Sequence, residues 1–189
     1  MIFKMNFELL PTTNAESCRE LCNELMAFQK EKAVIGKSCF DSMSFETRML
    51  KSYNQSLEKQ IVLALHEKNP IGYVFSTIDI ILENARTALP DWAPKVENSL
   101  GFYPDWVELP QKIACLNNLY LKDAYRGHRL GTKLFHETMA WIEKFEDVKL
   151  TFVFISNGND EALKFYLDNG FVYSHEVFGG FIKAAYKCK

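Results

Sequence analysis

The chain has 189 residues, of which 48% are hydrophobic and 24% are charged, and its formal net charge is −2. This size and composition predict one globular domain with a substantial core, spanning residues 1–189. The small negative charge argues against nucleic-acid binding through a general basic field, and no apolar run is long enough to cross a membrane.

The five cysteines and the amino terminus bear on cellular location. The cysteines are odd in number and match no zinc-binding spacing, so we expect buried, reduced thiols and no metal site. The first residues alternate as a strand does and lack the apolar core of a signal peptide. Both observations favour a cytoplasmic protein.

Hydrophobic periodicity predicts strands and helices in alternation along the chain. The predicted strands are Met1–Leu10, Gln60–His66, Ile71–Asp79, Ile113–Leu121, Lys149–Ser156 and two closing strands around Gly179-Gly180. The predicted helices run from a cap at Thr12 or Thr13 to about Lys30, from Asp41 or Ser42 to about Tyr53, from Arg129 to Phe145 and from Asp160 to Asn169. A turn at Lys68-Asn69-Pro70 joins the second and third strands into a hairpin. This order predicts an α/β fold, with a mixed sheet of about seven strands and helices on both faces.

The segment Asp79–Lys112 is too long for an ordinary connection, so it predicts a lid, a binding loop or an extra helix. It holds six acidic and three basic side chains, a net charge of −3, and two of the three tryptophans. Such a surface suits a cationic amine. The same aromatic residues would equally suit packing of the insertion onto the body, or an interface in a homodimer. The candidate substrate-binding residues are Trp92, Tyr103, Trp106 and Asn117.

The second predicted helix has Phe45, Met49 and Tyr53 on one stripe. We expect this helix to form the other wall of the substrate site.

A loop rich in glycine and positive charge lies between the strand Ile113–Leu121 and the helix that follows. Free backbone N–H groups and the positive end of a helix together favour a bound anion. Cationic side chains are unfavourable at the start of a helix. Their presence here is explained if an anion binds at this position. The glycine spacing is one residue short of a Walker A loop, and no dinucleotide-binding fingerprint is present. The cationic side chains of the loop are Arg126, His128, Arg129 and Lys133.

This loop resembles the pyrophosphate loop of the GNAT superfamily, the acetyl-CoA-dependent N-acetyltransferases. The pattern of that family is Arg or Gln, two residues, Gly, one residue, then Gly or Ala, after a strand that ends like Leu-Tyr-Val. Arg126 and Gly131 match its ends, and Leu119–Leu121 matches the strand. Arg129 replaces the middle glycine.

A second block, Asn157–Phe171, resembles the downstream motif of the same family. Its anchors are Asn157, Ala162, Phe165, Tyr166, Gly170 and Phe171. Asn159 or Asp160 can cap the helix in this block, and Gly170 can end that helix in the left-handed conformation. Together the two blocks identify the chain as a GNAT-like protein with the acyl-CoA N-acyltransferase fold.

The resemblance implies acetyl-CoA as the co-substrate, without a metal. It places the pantetheine arm against Leu119, Tyr120 and Leu121, where two strands of this family separate, with an N–H near Tyr120 polarising the thioester carbonyl. It assigns the remaining cofactor contacts to Arg126, Gly127, His128, Arg129, Leu130, Gly131, Thr132, Asn157 and Tyr166.

Catalysis in such an enzyme requires an acid for the departing thiolate and a route for the proton of the amine. Tyr166 is the predicted general acid, although a buried tyrosine can also serve only the core. Many relatives carry a carboxylate before the Leu-Tyr pair, whereas this chain has Asn117 and Asn118, which can hold a relay water. Glu108 is the candidate base, with Asp105 and His66 as further options.

The predicted function is transfer of an acetyl group from acetyl-CoA to a primary amine of a small, cationic substrate. Two alternatives stay open. One is acetylation of a protein N-terminus or lysine, which needs an open groove that a long insertion tends to close. The other is a non-catalytic acyl-CoA-binding module, which the missing strand carboxylates favour and the retained Tyr166 disfavours.

Overall fold

The computed structural model describes residues 6–189, which contain one mixed sheet of seven strands. The strands are β1 (Phe7–Thr12), β2 (Glu58–His66), β3 (Asn69–Ile81), β4 (Gln111–Leu121), β5 (Leu150–Ser156), β6 (Val172–Val177) and β7 (Ile182–Cys188). They lie in the order β1-β2-β3-β4-β5-β7-β6. Only β4 and β5 are parallel neighbours, and all other pairs are antiparallel. The predicted mixed α/β sheet is confirmed.

Helices pack on both faces of this sheet, as predicted. The α-helices of the described residues are α1 (Arg19–Lys32), α2 (Lys51–Gln55), α3 (Leu130–Ile142) and α4 (Asp160–Asp168). A π-helical turn, Phe45–Leu50, leads directly into α2. Helix α1 and the π-helical turn cover one face, here called the α1 face, while α3 and α4 cover the opposite face, here called the α3 face.

Side-chain alternation along β3 distributes the core between the two faces. Tyr73 and Phe75 are fully buried on the α1 face, where they cluster with Met49 of the π-helical turn. Val74 points to the α3 face and clusters with Leu134 of α3. Because strand side chains alternate with a period of two, a single strand supplies both halves of the core.

The first two helix starts lie later than predicted. Strand β1 extends to Thr12, so neither Thr12 nor Thr13 caps a helix, and the predicted residues Met1–Met5 lie outside the described part. Asn14 instead caps the 3-10 turn Ala15–Cys18 that precedes α1, because its side chain accepts a hydrogen bond from the N–H of Glu16 at 3.2 Å.

The predicted second helix start at Asp41 or Ser42 is also wrong, since that stretch forms a 3-10 turn. Ser44 begins the helical segment in a capping box, with its own N–H donating to Thr47 Oγ1 at 2.9 Å.

The hairpin between β2 and β3 turns earlier than predicted. Glu67 and Lys68 occupy the turn with φ values of +50° and +67°, as a two-residue hairpin turn requires. Asn69 and Pro70 already belong to β3, where Pro70 pairs beside a bulge at Ala64/Leu65. A bulge tolerates the missing N–H of proline.

The insertion is shorter than predicted and packs against the α1 face. Strand β3 extends to Ile81 and β4 begins at Gln111, and between them only the 3-10 turn Glu83–Arg86 is helical. The side chain of His175 bonds the carbonyl oxygen of Gly101 at 2.8 Å, which ties the insertion to β6. The insertion is therefore held by the body of the protein.

All five cysteines are free thiols. Cys18 and Cys22 are buried, as predicted, and burial raises the pKa of the Cys18 thiol to about 12. Cys39 and Cys115 are only partly buried and Cys188 is exposed, so the prediction of buried thiols is wrong for these three.

Within residues 6–189, no helix combines the length and the apolar composition that crossing a membrane requires.

Candidate active site

Strands β4 and β5 separate in the middle of the sheet. They pair from Ile113 and Leu150 as far as Leu116 and Val153, and no pairing between them follows. Strand β4 continues along β3 to Leu121, while β5 continues along β7 to Ser156. The β5-facing edge of residues 117–121 is therefore open, and its backbone N–H and C=O groups can bind a ligand, apart from the Leu121 carbonyl, which accepts from Arg126.

A β-bulge lies where the two strands separate. The pairing of β3 with β4 shifts at Phe75/Ser76, which leaves Asn117 as the extra residue of β4. Its side-chain amide donates to Thr77 Oγ1 at 2.9 Å, so the side chain lies on the α1 face. Bulges redirect side chains beside functional sites. Here the bulge brings both Asn117 and its neighbour Asn118 to one cavity.

The loop before α3 presents uncapped backbone N–H groups. Arg129 is the N-cap residue and has a φ of +59°, so it adopts the left-handed conformation that glycine usually supplies. No side chain caps α3, and the first helical bond is from the N–H of Lys133 to the carbonyl of Arg129 at 3.0 Å. The N–H groups of Leu130, Gly131 and Thr132 therefore point out of the helix start, as an anion site requires.

Packing within the protein does not explain the glycine at position 131. A Cβ there would lie 3.7 Å from the side chain of Leu121, which is ordinary van der Waals contact, and its φ is not left-handed. A close approach of a ligand to this backbone would explain the absence of a side chain. The loop thus fits a pyrophosphate group.

The cations of this loop fall into two groups. Arg126 is bound to the protein, with Nη1 3.1 Å from Asp123 Oδ1 and Nε donating to the carbonyl of Leu121 at 3.2 Å. Arg129 and Lys133 are exposed and form no ion pair within residues 6–189. His128 packs against Phe7, with ring centroids 5.7 Å apart. Arg129 and Lys133 are therefore better placed to reach phosphates than Arg126.

Tyr166 lies on α4 and is 5% exposed, packed edge-on against Phe135 and Phe171. The pKa of its hydroxyl is raised above the usual value by burial and, to a smaller extent, by the nearby Cys115 thiol. Tyr166 belongs to the same buried cluster as Leu116 and Val153, the last paired residues of β4 and β5, so it lies near the point where the two strands separate. A hydroxyl with a raised pKa keeps its proton at neutral pH, as a general acid must.

A cavity of about 530 Å³ adjoins this point on the α1 face. Asn117 and Asn118 of β4 line it, and Arg48 of the π-helical turn lines it as well. Trp92 and Tyr103 from the insertion also line it. The predicted substrate-binding residues Trp92, Tyr103 and Asn117 therefore meet in one cavity, and the second helical segment supplies a wall, as expected.

The structure does not bring Trp106 or Glu108 to this cavity. Trp106 is 49% exposed and packs on Tyr186, with ring centroids 4.6 Å apart. Glu108 is exposed, and only its backbone carbonyl is engaged, by the side chain of Gln111. Both residues belong to the part of the insertion that turns away from the strand ends. Neither is retained as a site residue.

The cavity wall also contains the carboxylate of Asp79, which the sequence did not suggest as a base. It accepts hydrogen bonds from Ser56 Oγ at 2.9 Å and from the N–H of Leu57 at 2.8 Å. The other options for the base lie elsewhere: Asp105 is exposed, and His66 packs between Phe7 and Tyr125. Asp79 is the last residue of the predicted third strand. Its position in the sequence therefore suggested only the end of a strand and gave no sign of a catalytic role.

Asn157 has a structural role that the predicted cofactor contact did not include. Its Oδ1 accepts hydrogen bonds from the N–H groups of Val34 and Ile35, at 2.7 and 2.8 Å. Its Nδ2 donates to the carbonyls of Ile35 and Phe181, both at 3.0 Å. The side-chain amide is thereby saturated inside the protein, so its assignment as a cofactor-binding side chain is withdrawn.

A family model described as the acetyltransferase (GNAT) family matches residues 23–171 of this chain. A comparison with curated proteins finds no match. The chain is similar to the structure of PaiA N-acetyltransferase from Thermoplasma acidophilum in complex with coenzyme A, with a TM-score of 0.63 and 16% identity over 98% of this chain and 100% of that one.

Two further solved structures are similar over nearly the whole chain. An acetyltransferase of the GNAT family from Staphylococcus aureus has a TM-score of 0.58 and 14% identity, with 97% of this chain and 99% of that one covered. Arabidopsis thaliana NAA60 in complex with a bisubstrate analogue has a TM-score of 0.59 and 10% identity, with 97% of both chains covered. At these identities the likeness shows the fold alone.

The family match extends over well more than half of the chain and includes both motifs. The chain therefore belongs to the GNAT family of acetyltransferases. As a member of that family it is an acetyltransferase, and its donor is acetyl-CoA.

We expect that replacing Arg129 and Lys133 together by alanine raises the Kd for acetyl-CoA about tenfold, because two charged hydrogen-bond donors to phosphate are lost. The difference should shrink at high salt, since exposed charges are screened. Isothermal titration calorimetry at two salt concentrations measures both effects.

A matched control removes two other exposed lysines, Lys95 and Lys144, which carry the same charge but lie outside the loop. This variant should bind acetyl-CoA as the unaltered chain does. Equal affinities for all three proteins would contradict the phosphate role of Arg129 and Lys133.

Proposed function

We propose that this acetyltransferase acts on a primary amine of a small molecule that binds in the cavity on the α1 face. The observation that carries the proposal is the position of this cavity, which meets the separating strands at Asn117 and Asn118 and is walled by the insertion. A cavity of about 530 Å³ is within the size range of small-molecule sites. The insertion between β3 and β4, residues 82–110, acts as the substrate loop.

The open edge of β4 orients the donor in this proposal. The backbone of Leu119–Leu121 holds the pantetheine arm, and the uncapped start of α3 holds the pyrophosphate. A backbone N–H near Tyr120 stabilises the charge that develops on the thioester oxygen. These groups are rigid parts of a strand and a helix, which favours the alignment that bond formation needs.

Two proton transfers accompany the reaction. As the C–N bond forms, a water molecule held by Asn117 takes the proton of the amine and passes it through further water in the cavity to the carboxylate of Asp79. As the C–S bond breaks, Tyr166 donates its proton to the sulfur. The amide of Asn117 has its N–H bonded to Thr77, which leaves its oxygen free to accept from the water.

The first test is thermal unfolding with acetyl-CoA, CoA and ATP. A ligand that binds only the folded chain stabilises it by about 2.7 kcal/mol at a hundredfold excess over its Kd. We expect a clear rise in Tm with acetyl-CoA and CoA and none with ATP. An unchanged Tm with acetyl-CoA at saturating concentrations would contradict the donor site.

Turnover is then measured as thiol release with a panel of primary amines and, in parallel, short peptides with free N-termini. Release with small amines and not with peptides would support the proposal. Release only with peptides would favour the protein N-terminus or lysine alternative. Binding of acetyl-CoA without release from either group would favour the non-catalytic module.

A further inference from the structure

Arg48 is a half-buried cation without an anionic partner. It lies in the π-helical turn and lines the cavity, and its guanidinium carbon is 4.1 Å from the ring centroid of Trp92. Its Nε atom is shielded from solvent and has no hydrogen-bond acceptor. Its guanidinium forms no ion pair with any carboxylate of residues 6–189. The charge is therefore held in place by packing alone.

The acidic side chains around Arg48 are occupied or distant. Glu46, two residues away, is paired with Arg19 and accepts from Ser44. Asp79 lines the same cavity, but its two oxygens accept from Ser56 and Leu57. Asp91 lines the cavity at its exposed side. None of the three neutralises the guanidinium.

The other titratable groups that face Arg48 are neutral at physiological pH. Burial raises the pKa of the Cys22 thiol, of the Tyr73 hydroxyl and of the Cys115 thiol, the last to about 12. Burial also lowers the pKa of Arg48 itself, although a guanidinium stays charged at neutral pH. A charge that is partly removed from water and has no paired anion is stabilised by binding one, so the site suits an anionic group.

On the face that contacts Arg48, Trp92 cannot bind a cationic substrate, which is the role that the sequence suggested for it. An aromatic face attracts one cation closely, and the face of Trp92 towards Arg48 already has the guanidinium of the protein. A second cation beside Arg48 would be repelled. The prediction that the acceptor is a cationic molecule bound by aromatic residues is therefore revised for this side of the cavity.

We infer that the acceptor amine also carries an anionic group, most simply a carboxylate, which the guanidinium of Arg48 binds in the cavity that Asn117 and Asn118 also line. The inference rests on the proposed function, since it concerns the acceptor of the same reaction. The planar fork of arginine matches carboxylate and phosphate oxygens in a bidentate arrangement. With its anion at Arg48, an amino-acid-like molecule would extend its amine towards the separating strands.

The test measures acetylation of matched pairs of amines that differ only in the anionic group. The pairs are each standard amino acid and its C-terminal amide, γ-aminobutyrate and butylamine, and phosphoethanolamine and ethanolamine. We expect kcat/KM to favour the anionic member of at least one pair by about tenfold or more, because charged hydrogen bonds are lost with the neutral member. The phosphate pair shows whether the anion is a carboxylate or a phosphate.

The variant Arg48→Gln should remove this preference by raising KM for the anionic amine, with KM for acetyl-CoA unchanged. Arg48→Lys keeps the charge without the fork and should restore part of the preference. Lys51→Gln removes a positive charge from the exposed rim of the same cavity and is expected to keep the preference. A purely structural role of Arg48 would not change the selectivity between members of a pair.

The possible failures are distinguishable. If amines are acetylated without preference for an anionic member, or if Arg48→Gln keeps the preference, the inference is overturned and the proposed function stands. If acetyl-CoA binds but no amine of the panel is acetylated, the proposed function fails and the inference fails with it.

Discussion

Replacing Tyr166 by phenylalanine should lower kcat about a hundredfold, the lower end of what a positioned general acid contributes. The Kd for acetyl-CoA should stay nearly the same, because only the hydroxyl is removed. The free energy of unfolding should also change little. The hydroxyl has no hydrogen-bond partner among residues 6–189, so its loss leaves no buried group unsatisfied.

A matched control is Tyr186→Phe, which removes a hydroxyl from a tyrosine that packs on Trp106, away from the cavity. This variant should keep the kcat of the unaltered enzyme. Steady-state thiol release gives kcat, and calorimetry gives the Kd. If Tyr166→Phe turned over as fast as the unaltered enzyme, the assignment of Tyr166 as the acid would be wrong.

Replacing Gly158 by alanine should lower the free energy of unfolding by about 3 kcal/mol or more, as strain combined with a clash does. Gly158 has a φ of +77°, and a Cβ there would lie 2.0 Å from the carbonyl oxygen of Lys32. Backbone at the end of α1 cannot move aside easily, because Asn157 holds the residues that follow. The clash is therefore with fixed main-chain atoms.

Gly127→Ala is the matched control for this prediction. Gly127 has a similar φ of +82°, but a Cβ there would meet nothing within 4 Å. Replacing it should lower the free energy of unfolding by only about 1 kcal/mol, because an L-residue is unfavourable in the left-handed conformation. Urea denaturation measures both values. Equal destabilisation by the two substitutions would show that the approach of Gly158 to Lys32 is not what requires the glycine.

The elements that the sequence predicts well are those whose causes are local. Gly170 ends α4 with a φ of +85°, and Asn159 caps the same helix by accepting from the N–H of Ala162. Both depend on contacts within a few residues, so the sequence was sufficient to predict them. The anion loop before α3 is of the same kind. Even Arg129, which departs from the family pattern, has a left-handed backbone, the conformation that glycine adopts most readily.

Predictions that depended on distance in space were less successful. Trp106 and Tyr103 are close in the insertion, yet only Tyr103 reaches the cavity. Glu108 precedes the central strand by a few residues and still faces solvent. The path of an irregular segment depends on which of its side chains the body can bury. The side chains that become buried in such a segment follow no periodic pattern, so the sequence does not reveal them.

The sequence by itself determined the class of this protein, its mixed sheet and the position of its donor loop. Periodicity and the two motifs express local backbone geometry, which a short stretch of chain sets alone. Only the tertiary structure decided the acceptor side of the site. Arg48 lies in a segment that the stripe of apolar residues predicts as helical, where an arginine would ordinarily face water. In the structure it is half-buried, with its guanidinium packed on Trp92.

Asn157 shows the same division within one residue. The motif identifies it from its neighbours, but its role depends on Val34 and Ile35, which lie more than 120 residues earlier in the chain. A hydrogen bond between segments so far apart forms only after the sheet and helices have assembled. The sequence therefore determines the local geometry of the loop proposed for the donor, and long-range packing determines the cavity proposed for the acceptor.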